Sequence, residues 1–446
     1  MKIAFLVWRF PVVSEPFILN QITGLIDRGH EVDIYACVVD QDASDKTNKV
    51  HPAVEEYRLL ERTYYAPKRP KNKLWRWLKA IGLLLANVYQ INFYPSPLAY
   101  LQLINRGKLC YRAIPFLGRG SYDIIHCQFG TLGLVGLSLR QAGILQGKLI
   151  TTFRGIDISR YVQEHGNQVY DQLFEEGDFF LANCQFFRQK ALDLGCNPQK
   201  IIVHGSGIDC RKFIFKSRYF PADGLVRIVT TGRLVEKKGI EYCISAIAKL
   251  SQTYPNIQFQ IIGDGPLKTD LERQIQALSI SHLVKLLGWK NQREVIEILD
   301  NSHIFLAPSV TAADGNQDAP VNTLKEAMAM GLPVISTNHG GIPELVEDGV
   351  SGFLVPERDA NSIANKLQYL LANPDIWLPM GSSGHHRVVQ KYDRETLNDE
   401  LVEIYQNLLL FQSTTEPNPN ELKTRGQIDR STHQTYQTNW WRFDPY

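Results

Sequence analysis

The chain has 446 residues, 44% of them hydrophobic and 21% charged, a length and composition that fit a soluble protein of two domains better than one core. Forty-eight Lys and Arg stand against 46 Asp and Glu for a formal charge of +2, so there is no global basic field for nucleic acid and any basic function must be local. Cys37, Cys110, Cys127, Cys184, Cys196, Cys210 and Cys243 form no C-x-x-C pair and no metal-ligand spacing, which predicts no bound metal and fits reduced thiols in a cytoplasmic compartment.

The opening MKIAFLVWRFPVVSE has too short an apolar run for a secretory signal, and its pattern predicts a first strand over KIAFLVW. Ser14 or Glu15 opens a helix through SEPFILNQITGLIDRG that Gly29 closes, and EVDIYA is the second strand. Asp40-Gln41-Asp42, a D-x-D arrangement a metal site would use, is better explained by a solvated loop. The stretch PKRPKNKLWRWLKAIGLLL (67–85) combines six cations with Trp75 and Trp77, which suits an anionic membrane surface and also a basic-flanked helix packed on the first domain. The longest apolar region, Leu74 to Val88, is broken by Arg76, Lys79 and Gly82, short of the ~18 apolar residues of a membrane span.

Further strands are predicted at YDIIHC (122–127), KLITTF (148–153), FFLAN (179–183) and IIVHG (201–205), spaced by helix-length segments. His126, at a strand end on the presumed cleft side, is a candidate acceptor or donor contact, with a structural histidine an equal explanation. The pattern lapses over residues 209–224, the expected linker. It restarts with VRIVTTG (226–232), IQFQIIG (257–263), LVKLLG (283–288), HIFLAP (303–308) and PVIST (333–337). The fold class is therefore α/β: two Rossmann-like doubly wound domains, 1–208 and 225–394, with ligands expected between the carboxyl ends of their sheets. The helix at 395–411 is expected to pack back on the first domain. Residues 413–446 are polar and aperiodic, an expected disordered tail in which Trp440, Trp441, Phe443 and Tyr446 form a candidate docking motif.

Three motifs in the second half carry chemistry. GRLVEKKG (232–239) sits where a strand turns into a helix and sets Arg233 and Lys238 five residues apart, two cations placed to neutralise a leaving diphosphate. The residues alone also describe a generic basic turn. In IIGDGPLK, Gly263, Asp264 and Gly265 follow a strand as part of a dinucleotide fingerprint does, but the third glycine and the later acidic residue are missing, so a nicotinamide cofactor is a minor reading.

The third motif, PSVTAADGNQDAPVNTLKEAMAMGLPVISTNHGGIPELVEDGVSGFLV, leads from a strand end through a short helix to another strand. Pro320 fits that helix's first turn, and the amides of Asn322, Thr323 and Leu324 suit a pyrophosphate. Asn322 and Glu326, four apart, share the face opposite Val321, Leu324, Ala327 and Met328. Asp318 as a cap and Glu326 as a solvated glutamate are the competing readings.

These residues resemble the retaining glycosyltransferases of family four, the glycosyl transferases group 1, over nearly the whole chain up to the tail. VHGSGIDCRKF is similar to that family's N-G-V-D element, GRLVEKKG to its G-R-x-x-x-K-G loop, GDGPL to a third signature and the long run to its most specific one. The resemblance implies the GT-B architecture and a nucleotide-diphosphate sugar as donor; with Arg233 and Lys238 neutralising the diphosphate no metal is required, and no other cofactor is expected. The family's two glutamates fall on Asp318, shorter by a methylene, and Glu326. By that resemblance the first acid orients the donor sugar, the second holds the ribose hydroxyls, and Arg233 and Lys238 grip the diphosphate. Gly263, Asp264 and Gly265 join Asn322, Thr323 and Leu324 around the donor.

FPVVSEPFILNQITGLIDRGHEVDIYA, YDIIHCQFGTLG and TTFRGIDISRY are similar to bacterial exopolysaccharide enzymes, the colanic acid type among them, which implies a saccharide acceptor on a polyprenyl diphosphate and a place on the inner face of the cytoplasmic membrane. In TTFRGID the wider family usually has His where Arg154 stands; Arg can still donate to a sugar hydroxyl or phosphate, though not in the same role. Ser14, His126, Arg154 and Asp157 are thus the candidate acceptor or sugar contacts. The competing functions are a nucleotide-sugar epimerase on the same frame and a non-catalytic sugar-nucleotide-binding protein, the latter suggested by Asp318 and Arg154.

Overall fold

A computed structural model of the protein describes residues 1–12, 15–39, 51–72 and 108–410, with Trp75, Leu78, Lys79, Ile81 and Gly82 between. Ser14, Asp40-Gln41-Asp42, residues 73, 74, 76, 77, 80 and 83–85 of the 67–85 stretch, and the 413–446 tail lie outside the described residues. Among the described residues thirteen strands form two parallel sheets. In the first, β1 (Lys2–Phe10), β2 (Glu31–Val39), β3 (Thr63–Tyr65), β4 (Ile124–Gln128), β5 (Lys148–Phe153), β6 (Phe179–Ala182) and β7 (Ile201–Val203) lie in the order β3-β2-β1-β4-β5-β6-β7. In the second, β8 (Val226–Thr231), β9 (Ile257–Ile262), β10 (Val284–Gly288), β11 (Ile304–Ala307), β12 (Val334–Thr337) and β13 (Phe353–Val355) lie in the order β10-β9-β8-β11-β12-β13.

Helices cover both faces, which is why the central strands read as continuous apolar runs: Ile3 to Val7 of β1 are all buried. Of the four edge strands, β3 and β13, three residues each, have no counterpart in the predicted set, whereas β7, equally short, is the strand expected at IIVHG (201–205). Helix α1 (Pro16–Asp27) starts on Pro16, after Glu15, and ends where Gly29, at φ +77, donates its N–H to the Ile26 carbonyl and His30 donates to Leu25.

The last described helix, α2 (Arg394–Leu410), leaves the second sheet and crosses to the first. Its Leu401 and Tyr405 are buried in the first core, and its Asn398 donates to the Asn20 carbonyl of α1 across Gly24, where any Cβ would meet the Asn398 amide at 1.9 Å. Arg28 completes the contact by pairing with Asp399 and Glu395. Among the described residues no helix is long and apolar enough to cross a membrane.

Candidate active site

In the second sheet β8 and β11 are neighbours although two strands separate them in the chain, and at such a reversal the loops diverge and open a crevice at the carboxyl ends. The 232–239 loop leaves β8 and the 308–320 loop leaves β11, so both meet there. Gly239, at φ +57, makes the meeting possible, since a Cβ would stand 2.1 Å from the Pro308 carbonyl oxygen. Val310 then donates its N–H to the Lys237 carbonyl at 2.9 Å, and Ala313 to the Glu236 carboxylate at 3.0 Å.

Asp318 is buried at the centre of this junction. Its Oδ1 lies 2.9 Å from Lys237 Nζ, and its Oδ2 lies 2.7 Å from Lys238 Nζ and accepts the Ser309 hydroxyl at 3.1 Å. Burial alone would raise the carboxyl, but the charges of Lys237 and Lys238 more than offset it and hold it well below the usual range. Lys238 is pulled down by the same burial, against the stabilising charge of Asp318. Arg233 is exposed, and among the described residues no carboxylate pairs with it. Three cations against one carboxylate leave an excess of positive charge for an anion. Lys237 was not among the predicted site residues. Its neighbour Lys238 carries the motif, and only the 3₁₀ turn at Glu236–Lys238 brings both ammonium groups to one acid.

The short helix Asn322–Ala329 begins beside this cluster, held there by the Thr323 hydroxyl donating to the Thr231 carbonyl at the end of β8. Two expectations need correction. Pro320 stands before the N-cap Val321, outside the first turn, and the Leu324 N–H is already bonded to the Val321 carbonyl at 3.1 Å. Among the described residues the Asn322 and Thr323 amides have no protein acceptor, so two N–H groups are left for a phosphate.

Glu326 is half-buried on the face predicted, with no hydrogen-bonded partner among the described residues, and burial pushes its carboxyl up to about 7 against the charge of Lys325. Lys325, unpredicted, is buried: it donates to the Ser206 carbonyl at 2.7 Å and Asn322 Oδ1 at 3.1 Å, its ammonium lies over the Tyr392 ring, and burial draws it down to about 7. Gly263 and Gly265 are glycines for a packing reason, since a Cβ on either would strike the Gly232 or Leu234 carbonyl oxygen at 1.9 and 2.6 Å. Between them Asp264 is exposed, at the mouth of the crevice.

The first sheet treats its predicted residues otherwise. His126 does not face the cleft. It is fully buried, with Nδ1 2.6 Å from the Tyr405 hydroxyl of α2 and Nε2 2.6 Å from Thr152 Oγ1, and burial with the charge of Arg154 keeps it neutral. Asp157 is turned inward as well, accepting the N–H groups of Gly130, Arg154 and Gly155 at 2.7, 3.1 and 2.9 Å. Arg154 is spent on internal bonds, to Gln128 and Gln21 on the first sheet's side and to the Ser206 hydroxyl at 3.0 Å. Burial lowers it to about 10, still a cation at neutral pH. None of the three is a free contact for a sugar. Arg154 instead meets Lys325 at Ser206, one cation from each half bonding the same connecting residue.

The halves also touch directly across the cleft. Glu344 accepts the N–H groups of Gln185 and Phe186 at 2.7 and 2.8 Å, supplying the cap that Cys184 does not give the helix Gln185–Asp193. Lys190 donates to Gln317 at 2.6 Å, and Arg160 pairs with Asp314 at 3.1 Å.

Two parallel α/β sheets with a cation-lined crevice at the reversal of the second, and a last helix crossing back to the first, define the GT-B class of glycosyltransferases. The sequence profile of the glycosyl transferases group 1 matches residues 213–387. The chain is 34% identical over 416 residues to the putative colanic acid biosynthesis glycosyltransferase WcaL of Salmonella typhimurium, covering 92% of this chain and 100% of that one. It is 35% identical over 419 residues to the amylovoran biosynthesis glycosyltransferase AmsK of Erwinia amylovora, with the same coverage. The protein belongs to the group 1 glycosyltransferases. Its fold is shared with Anabaena HepE, solved with UDP, at a TM-score of 0.66 and 19% identity over 91% of this chain and 100% of that one.

Proposed function

We propose that the protein transfers a hexosyl group from a nucleotide-diphosphate sugar, with retention of configuration, to a saccharide carried on a polyprenyl diphosphate, in the assembly of an exopolysaccharide. The observation that carries the donor half is the junction of Lys237, Lys238 and Asp318 beside the exposed Arg233 and the two unbonded amides of Asn322 and Thr323. A diphosphate would lie against Arg233, Lys238 and those amides, and Asp318 would face the sugar. Glu326 would accept the ribose hydroxyls. As the glycosidic bond breaks, negative charge gathers on the leaving phosphate, and cations already in place stabilise it without reorganisation. That phosphate then takes the acceptor's proton on the same face, and the protein's cations do the work a metal does elsewhere.

The exopolysaccharide role is supported by WcaL and AmsK, which align over their whole length with 92% of this chain. A seat on an anionic membrane face is supported by the 67–85 composition and by the exposure of Trp75 and Leu78. Thermal melting with a panel of UDP-, GDP-, ADP- and dTDP-hexoses tests the donor site: a ligand at 100 times its Kd stabilises the fold by about 2.7 kcal/mol, so one nucleotide series is expected to raise Tm by several degrees. A flat response to every member overturns the proposal.

A further inference from the structure

We propose that Glu357 and His339 are positioning residues for the transfer reaction: bonded in series, they fix where Asp318 stands beside Lys237 and Lys238, and so where the sugar end of the donor is held. The proposal rests on the donor site proposed above. Neither residue lies in the loop it acts on. His339 follows β12 and Glu357 follows β13, whereas Asp318 closes the loop that leaves β11.

His339 is 1% exposed. Its Nε2 accepts the Asp318 N–H at 3.0 Å, and its Nδ1 lies 2.6 Å from Glu357 Oε1. A ring nitrogen that accepts carries no proton, so the imidazole is the Nδ1–H tautomer and Nδ1 donates to Glu357. Glu357 has a second grip on the same loop: its Oε2 accepts the Thr311 N–H at 2.7 Å and its Oε1 the Thr311 hydroxyl at 3.2 Å. One carboxylate therefore anchors the start of the loop directly and its end through the imidazole.

The other side of Asp318 is held by the two residues after His339. Gly340, at φ +51, lies so close beneath Asp318 that a Cβ would stand 2.0 Å from its carbonyl oxygen, and Gly341 donates its N–H to that oxygen at 3.3 Å. The peptide groups on both sides of the Asp318 α-carbon are thus clasped by 339–341, and Glu357 sets the clasp. Such fixing matters more for Asp than for Glu. With one methylene less, the side chain has less reach to make good a displaced backbone. A misplacement of about 1 Å costs on the order of 100-fold in rate.

The test uses the full chain and three substitutions. A glutamine side chain puts an amide oxygen near the place of Nε2, whereas an asparagine puts its amide near Nδ1. With the best donor of the UDP-, GDP-, ADP- and dTDP-hexose panel, His339→Phe is expected to lower kcat on the order of 10- to 100-fold while the Kd of the nucleoside diphosphate it releases moves less than about twofold. His339→Gln, which can still accept the Asp318 N–H, should recover most of kcat, and His339→Asn should not. Circular dichroism melts establish that each variant is folded at the assay temperature, and where His339→Phe is not, the Gln and Asn pair decides. Equal kcat in the Gln and Asn variants, or an unchanged kcat in His339→Phe, overturns the positioning role. A wild-type chain that turns over no donor overturns the donor site itself, a different result from an active wild type whose variants do not separate.

Discussion

The carboxyl edges of the two sheets carry similar polar residues and leave them in opposite states. At the edge of the second sheet, Arg233 is exposed without a carboxylate, the Asn322 and Thr323 amides have no acceptor, and Glu326 has no hydrogen-bond partner, all among the described residues. At the edge of the first, His126, Arg154 and Asp157 are buried and their bonds close on Tyr405, Thr152, Gln128, Gln21, Ser206 and local amides. A polar residue at a strand end marks a ligand site only when hydrogen-bonding capacity is left over after folding. By that measure the first edge is a polar core that locates the connecting segment, and the second keeps the capacity the proposed donor site needs.

If the contrast holds, substitutions at the second edge cost activity before stability, and those at the first cost stability before activity. The largest effect is expected for Lys238→Ala, which strips one cation from the proposed diphosphate site and should lower kcat by ~100-fold with Tm within about 2 °C. Steady-state kinetics beside a melting curve check both halves of the statement, and a near-normal kcat would remove Lys238 from the site. His126→Ala comes next and inverts the pattern. It opens a cavity and leaves Tyr405 and Thr152 without a buried partner, so a loss of about 2–3 kcal/mol and a fall in Tm of roughly 5 °C or more are expected. Activity measured well below that Tm should stay within about threefold of wild type. Loss of turnover with an unchanged Tm would return His126 to the list of substrate contacts.

The difference between the edges also explains what was legible in the sequence. Most strands announce themselves by apolar runs between helix-length segments, and the repeat of that pattern gives two sheets; β3 and β13, three residues each, do not, although the equally short β7 does. In the second half the site lies in two loops that share motifs, so Arg233, Lys238, Asp318 and Glu326 could be named. Lys237, Lys325, His339 and Glu357 could not, because their meaning lies in partners 18 to more than 80 residues away: His339 with Glu357, Lys237 with Asp318, Lys325 with Ser206. In the first half the motif residues His126, Arg154 and Asp157 were equally visible. Their inward turn depends on partners the motifs do not contain: Tyr405, which reaches His126 from the far end of the chain, and Gln21, Gln128 and Ser206, which hold Arg154.

A third substitution works on the boundary between the two edges. Asp318→Asn removes the carboxylate that occupies Lys237 and Lys238 but leaves a side chain of nearly the same shape. With both ammonium groups released, a free nucleoside diphosphate should bind more tightly, by about three- to tenfold, while sugar transfer falls about tenfold or more because the sugar loses its acid. Isothermal titration with UDP or GDP, compared with kcat, separates these opposite shifts. A diphosphate that binds no better would mean that the lysines do not face it.

The smallest effect concerns pH and bears on Glu326, whose carboxylate has no hydrogen-bond partner among the described residues. Burial raises its carboxyl to about 7. Because the folded group holds its proton to higher pH than the unfolded one, it costs stability as pH climbs from about 4.5 to about 7, and that cost is complete above 7. Donor binding has the opposite sign. Only the ionised carboxylate accepts from two ribose hydroxyls at once, so affinity for a nucleotide sugar should improve severalfold, at most about tenfold, between pH 6 and pH 8. The ligand must be the sugar diester, whose phosphates do not titrate there, and not the free diphosphate, whose terminal phosphate does. Lys325 titrates in the same range, and its loss of charge would hold the Glu326 proton longer and flatten the rise. The variant that decides is Glu326→Gln, which cannot ionise: its affinity should be weaker at pH 8 and nearly independent of pH. A wild-type affinity that does not change with pH would place Glu326 outside the ribose contacts, and the leftover capacity that distinguishes the second edge would then belong to the diphosphate alone.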